Sequence, residues 1–203
     1  MTKAKTKPDD LREACLQEAL RIIETSGVER LSLRDVARRL NVSHQAPYKH
    51  FESRDHILAE IVARAYASFA AALDARPQTE DPEADLAEMG KAYVHYAQTH
   101  PLQYRLMFGT PLPDPKEHRH MLEQARHAFS LLTNGLNRKA RHLGQTKTEE
   151  DIQMDALFIW STLHGLASLL KADALSTLDL PAGSAQSAPL HILSRLKAGL
   201  TTD

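Results

Sequence analysis

The sequence predicts an all-α protein in two parts: a small three-helix unit of the helix-turn-helix kind, then a larger helical domain, about nine helices in all. Three observations carry this expectation. Apolar residues recur at steps of three and four along most of the 203 residues. Ser, Thr or Asp followed three residues later by an acid opens several of these runs, the signature of a capped helix start. No alternating strand pattern and no internal repeat interrupts the series.

The elements follow in order. Met1 to Lys7 carries three lysines and reads as a frayed basic arm. From Asp9, the recurrence of Leu11, Cys15, Ala19, Ile22 and Ile23 predicts a helix that Gly27 terminates. Ser32-x-x-Asp35 is a capping box for a short helix with Leu33, Val36, Ala37 and Leu40 inward. Asn41 suits a left-handed turn, and Ser43 can cap a second short helix from about His44 to Phe51. A longer helix is expected from Arg54 to Ala75, another from Asp81-Pro82 to Thr99, and a short one behind Pro101. Asp114 to Glu117 reads as a capping box for the next long helix, and Thr148-x-x-Asp151 as the cap of the one after it. Ser176 to Ala188 reads as an irregular Pro/Gly/Ser-rich stretch, with Pro189 opening a last helix. The domain boundaries predicted are 1–54 and 55–203.

Composition narrows the classes of function. Twenty-five Lys and Arg against 26 Asp and Glu give a formal charge of −1, which excludes a uniformly basic nucleic-acid coat but permits a local patch. One cysteine excludes an internal disulfide and a Cys-x-x-Cys metal site, and Cys15 reads as a buried inert thiol. No uncharged apolar run of membrane-spanning length and no basic leader is present, so a cytoplasmic protein with no membrane partner is expected. No nucleophile elbow or cofactor fingerprint occurs, so neither an enzyme nor a cofactor is expected. His120, Glu123 and His127 share a helix face near His118 but match no zinc motif, and no metal site is expected.

The stretch Leu31 to Leu58 reads LSLRDVARRLNVSHQAPYKHFESRDHIL. Between Arg30 and Arg54 six basic residues face two acids, a local excess on a chain with a slight net negative charge. Phosphate contact needs only such a patch. The second helix of a helix-turn-helix offers its first side chains to base edges, here His44, Gln45 and Ala46. Gln can pair bidentately with adenine, and Ala can meet a thymine methyl. Pro47 removes a first-turn hydrogen bond, so this helix is expected to be short and loosened.

This segment resembles the DNA-binding domain of the TetR/AcrR family of bacterial transcription regulators. The matching parts are Leu31-Ser-Leu-Arg-Asp-Val-Ala37, Val42-Ser43, Tyr48-x-His50-Phe51 and Ser53-Arg54-Asp55. Two further stretches, Pro101-x-x-Tyr104-Arg105-x-Met107-Phe108 and Trp160-x-x-x-His164-Gly165, resemble the C-terminal domain of a subgroup named for Trp-His-Gly. The resemblance implies a homodimeric regulator, most often a repressor, that binds a pseudo-palindromic DNA operator and is released by a small-molecule effector. It implies backbone contacts for Tyr48, Lys49 and His50, with Ser32, Arg34, Ser43 and Arg54 completing the DNA-binding set. The candidate effector lining is Tyr66, Phe69, Tyr93, Tyr96, Tyr104, Met107, Phe108, Met121, Phe129, Phe158, Trp160 and His164. Few charges flank these residues, so the expected effector is neutral and lipophilic, held by polar tips at Tyr104, His164 and Tyr96. Leu163, Leu166, Leu170, Leu193, Leu196 and Leu200 form the expected dimer interface. A regulator of the same fold controlled by a protein partner is the alternative.

Overall fold

The computed structural model describes residues 8–199 apart from 76 and 173, so the basic arm and Leu200 lie outside the described residues. Among the described residues there are eight α-helices and no strand: α1 (Pro8–Ser26), α2 (Leu33–Arg39), α3 (Arg54–Leu73), α4 (Pro82–Thr99), α5 (Pro101–Phe108), α6 (Arg119–His142), α7 (Glu149–Lys171) and α8 (Ser184–Gly199). Three short 3-10 turns, Val28–Arg30, Pro47–Lys49 and Ala174–Thr177, complete the elements. The chain forms two compact units, Met1–Ala65 with Arg105–Gln124, and Tyr66–Tyr104 with Ala125–Asp203. The first unit thus runs past residue 54 and takes back a segment from the middle of the chain.

In the first unit, α1 packs against α2, and both close on the Pro47–Lys49 turn. Cys15, Leu16, Ala19, Ile22 and Ile23 of α1, Leu33, Val36 and Ala37 of α2, and Phe51, Ile57, Leu58 and Ile61 beyond them are all buried. Burying a Leu, Ile or Phe side chain contributes about 1.5–3 kcal/mol, so this small unit has a sufficient apolar centre without a staple. Gly27 at φ 88° ends α1 and donates its N–H to Ile23 O at 3.0 Å, as its position predicted. α3 is long and apolar enough to cross a membrane by length and composition, but 56% of its most apolar stretch is buried inside the fold, the mark of a core helix.

In the second unit, α4 packs chiefly against α7 and also meets α8. Gly90 makes that approach possible, because a Cβ there would lie 2.8 Å from Leu193 Cδ2 and 3.8 Å from Leu163 Cδ1. Asp81 caps α4 by accepting from the N–H groups of Glu83 and Ala84, each at 3.0 Å. The Thr148–Asp151 capping box of α7 is complete, with Thr148 N–H donating to the carboxylate at 2.9 Å and Asp151 N–H donating to the hydroxyl at 3.1 Å.

Four local expectations are corrected. His44 to Phe51 is a hydrogen-bonded turn and a 3-10 segment rather than an α-helix, because Pro47 has no N–H for the ladder. Asp114 organises a turn through Lys116 N–H and Glu117 N–H, and α6 starts later, at Arg119. The last helix starts at Ser184, and Pro189 lies inside it rather than opening it. The Ser32 box is half made: the hydroxyl accepts from Asp35 N–H at 3.1 Å, while the Asp35 carboxylate turns to Arg38 and Arg39.

Candidate nucleic-acid interface and effector groove

The DNA-reading candidates depend on how α2 ends. Asn41 adopts φ 52°, Val42 N–H donates to Ala37 O at 3.0 Å and Asn41 N–H to Arg38 O at 3.2 Å. This pair of bonds is the left-handed helix stop that Asn tolerates better than other non-glycine residues. The chain then turns through Ala46 N–H to Ser43 O at 2.9 Å and closes with Phe51 N–H on Pro47 O at 3.0 Å. Ala46 keeps a right-handed helical backbone, φ −62° and ψ −46°, despite the proline that follows it. Pro47 and Phe51 are buried, so the turn is anchored from beneath.

That anchoring exposes Ser43, His44, Gln45, Tyr48 and Lys49 together, with Ala46 and His50 half-buried. Ser32 and Arg34 are also exposed at the start of α2. Arg54 is differently employed: its guanidinium donates to Val28 O at 2.8 Å and to Asp55 at 2.9 Å, tying the start of α3 to the turn after α1. Arg38 and Arg39 are held by Asp35, whose carboxyl their hydrogen bonds keep below the usual carboxylate range. Arg39 also reaches Glu18 at 3.6 Å. Arg34 and Lys49 therefore project with fewer internal commitments than Arg38, Arg39 and Arg54.

The candidate effector residues fall in both units. Met107 and Met121 are buried and belong to the first unit with the half-buried Phe108. In the second, Phe69 meets Tyr93 and Tyr96 edge to face, each at 5.2 Å between ring centroids, and Tyr66 is buried as well. Burial pushes the Tyr66 hydroxyl pKa up to about 12. The polar tips are used internally. Tyr104 Oη lies 2.7 Å from His164 Nδ1 and 3.0 Å from Tyr93 Oη. Trp160 also hydrogen-bonds Tyr93. An indole N–H can only donate, so Tyr93 accepts from it; either phenol can donate between Tyr93 and Tyr104, and we assign Tyr93 as donor to Tyr104 and Tyr104 as donor to His164 Nδ1. The order Trp160, Tyr93, Tyr104, His164 leaves His164 as the neutral Nε2–H form, and burial lowers its pKa in the same sense. Tyr96 stands apart, bonded to Ser68 and stacked on His100 at 4.3 Å.

Phe158 is 51% exposed and lines no interior. Leu163, Leu166 and Leu196 are buried within the second unit, with Leu163 and Leu193 spent against Gly90 of α4, so they offer little surface to a second copy. Leu170 and Leu193 are half-buried. The exposed apolar residues nearby are Met154, Leu157, Phe158 and Leu169 of α7 and Leu190 of α8.

Sequence reasoning missed an open groove of about 720 Å³ between α6 and α7. It is lined by Ala125, Arg126, Phe129, Ser130, Thr133, Asn134 and Asn137 of α6 and by Glu149, Ile152 and Gln153 of α7. Phe129 is the one candidate lining residue it includes, and that ring meets Trp160 edge to face at 5.9 Å. Arg126, Ser130, Thr133 and Asn137 recur at helical steps, but a polar stripe on a helix reads as a solvated face. Among the described residues no three His, Cys, Asp or Glu side chains converge as a metal site.

A helix-turn-helix unit presenting polar side chains, joined to a second helical unit, is the arrangement of a DNA-binding regulator. Comparison with known proteins agrees. Residues 16–61 match the family described as bacterial regulatory proteins, tetR family, and residues 86–192 match the tetracyclin repressor-like C-terminal domain. The chain belongs to the TetR family of transcription regulators. HTH-type transcriptional regulators of Mycobacterium tuberculosis and Mycobacterium bovis are 33% identical over 90 residues, 43% of this chain and 38% of theirs, so the chain matches well under half the length of these relatives. A Rhodococcus sp. RHA1 protein of unknown function superposes with a TM-score of 0.75 at 27% identity, covering 93% of this chain and 94% of that one. The fatty acid degradation regulator of Bacillus halodurans shares the fold, with a TM-score of 0.67 at 16% identity over 98% and 99% of the two chains.

Proposed function

We propose that this chain is a cytoplasmic homodimeric repressor that binds a pseudo-palindromic operator and releases it when a small lipophilic effector occupies the α6–α7 groove. The observation that carries the DNA reading is the exposed turn Ser43–Lys49, presented on a buried Pro47 and Phe51. Its 3-10 path still displays His44 and Gln45 at the front and Tyr48 and Lys49 behind them. Gln45 is assigned to base edges, and Ser32, Arg34, Ser43, Tyr48, Lys49 and His50 to the backbone or its margins. Arg54 is assigned to support through Val28 O, with phosphate contact secondary.

The dimer surface moves to the exposed stripe of α7. Met154, Leu157, Phe158, Ser161, Gly165 and Leu169 recur at helical spacing, and Leu190 of α8 adds a further exposed side chain. Contiguous apolar stripes of this kind mark association surfaces. Two half-sites read by two copies supply the affinity that one turn lacks. The groove volume falls in the range that holds small ligands, roughly 300–1,000 Å³. An effector there would press on Phe129, which meets Trp160 and through it the Tyr93–Tyr104–His164 chain. Tyr104 directly precedes Arg105, where the chain passes into the first unit. Release then requires only that the effector prefer a dimer whose two turns no longer fit both half-sites.

Footprinting on the DNA flanking its own gene tests this function. Gln45→Ala is expected to relax preference at one position per half-site at a cost of about 1–3 kcal/mol, while Lys49→Ala weakens all sequences alike. Equal, sequence-independent losses from both variants would remove the assignment of base readout to Gln45.

A further inference from the structure

We infer that the α6–α7 groove is built for an amphipathic organic anion, whose apolar body lies on Phe129 and Ile152 and whose anionic head meets the Arg126 guanidinium. The inference rests on the proposal that this groove is the effector site, and it replaces the neutral ligand expected from the sequence. The tips that would have held a neutral ligand, Tyr104 and His164, are bonded to each other at 2.7 Å. Among the described residues no buried side-chain nitrogen or oxygen is left without a partner to recruit one.

The groove is different, because its hydrogens and lone pairs are unequally committed. Ser130 donates its hydroxyl proton to His127 O at 2.8 Å, and Thr133 donates its own to Ser130 O at 3.2 Å. Gln153 donates to Glu149 at 3.1 Å, which occupies one carboxylate oxygen while the negative charge stays on the α7 side of the groove. The donors left over are the Arg126 guanidinium and the carboxamides of Asn134 and Asn137, whose side chains carry no hydrogen bond or ion pair among the described residues. A cation with such neighbours favours a ligand that supplies acceptors and a negative charge. Charge-assisted pairs with a guanidinium are the stronger and more directional kind.

The remaining surface sets the body of the ligand. Phe129 and Ile152 give the groove an aromatic and an aliphatic patch, and Ala125 leaves room beside them. A neutral lipophile covering these patches would draw water away from Arg126 without giving it a partner, which is costly. An anion with an apolar tail satisfies both at once.

The probe is anilinonaphthalene sulfonate, with N-phenylnaphthylamine as the same aromatic body lacking the charge. Fluorescence titration of the full-length dimer is expected to show saturable binding of the sulfonate at one site per protomer. Arg126→Gln should weaken the sulfonate about tenfold and the neutral amine by less than about twofold, while Arg126→Lys should keep the sulfonate within about threefold. Arg126 is exposed, so unchanged thermal melting of the variants serves as the folding control. Decanoate should displace the sulfonate and decanol should not. Equal loss of both probes in Arg126→Gln, no loss of either, or displacement by decanol as readily as by decanoate would overturn the anion assignment. A parallel arm adds the sulfonate to the operator complex. Binding that depends on Arg126 without DNA release would refute the effector reading and leave the anion site standing. Release that ignores Arg126 would do the reverse.

Discussion

The ordered chain from Trp160 to His164 makes a prediction that can be worked from distances. Tyr104→Phe removes a hydroxyl that donates to His164 Nδ1 at 2.7 Å and accepts from Tyr93 at 3.0 Å. Tyr93 Oη already lies 3.4 Å from the same ring nitrogen, so it can take over that acceptor with a small shift. One of the two bonds is recovered, and the net cost is about 1–2 kcal/mol, at about 0.5–1.5 kcal/mol per bond plus repacking. For a chain of this length that lowers Tm by about 3–6 °C. Tyr93→Phe has no such rescue, because Trp160 N–H then lacks its acceptor and Tyr104 its donor. It should cost about 1–3 kcal/mol and exceed Tyr104→Phe. Urea unfolding of both variants gives the free energies, and nitrogen-15 shifts of the His164 ring give its tautomer. The Nε2–H form is expected at neutral pH. A ring protonated at Nδ1, or two variants indistinguishable from the unmodified protein, would refute the assigned direction of the chain.

Three other outcomes are expected. Removing the α7 cap with Thr148→Ala should cost about 0.5–2 kcal/mol, read by thermal melting, since the hydroxyl's bonds to Asp151 N–H and to its carboxylate are lost while the backbone N–H of residue 148 keeps its own. Acidification should lower stability in two stages. Burial holds His164 below the ordinary histidine range, about 6.5, so the unfolded chain binds the extra proton first and the loss begins as pH falls below that range. The carboxyls of Asp35, Asp85 and Asp151, held low by Arg38, Arg138 and Thr148 respectively, add their loss at more acid pH. His164→Gln should erase the first stage in urea titrations across pH. Replacing Leu157 and Phe158 by Glu should give helical monomers in sedimentation that no longer bind operator, whereas an intact dimer would move the interface off α7.

Much of the fold was legible because helix ends announce themselves locally. Gly27, Asn41, Asp81-Pro82 and Thr148-x-x-Asp151 all act where their chemistry placed them. Asp114 and Pro189 carried the same signals and misled, because a turn can use an Asp carboxylate as well as a helix can, and α8 starts ahead of its proline although Pro189 has no N–H for the ladder. The turn proposed to read DNA was chosen by residue type, but its 3-10 path followed from Pro47 more strongly than expected. The burial of Leu163, Leu166 and Leu196 has a cause the sequence does not hold. Periodicity says that Leu163 shares a stripe with Leu166 and Leu170, but not which of two apolar faces of α7 meets α4, and Gly90 decides that. The groove stayed hidden because most of its α6 wall is polar, and two helices must be seen apart before a polar stripe becomes a wall.

The central claim is that the exposed Ser43–Lys49 turn of a dimer reads DNA sequence. Selection of the full-length protein on random double-stranded DNA, repeated at two salt concentrations, tests it most directly. The expected result is enrichment of one two-fold symmetric sequence whose half-sites lie about one helical turn apart, or a multiple of it, with affinity falling steeply as salt rises. Binding that falls with salt yet enriches no sequence would contradict the account, because the turn would then be touching phosphates alone.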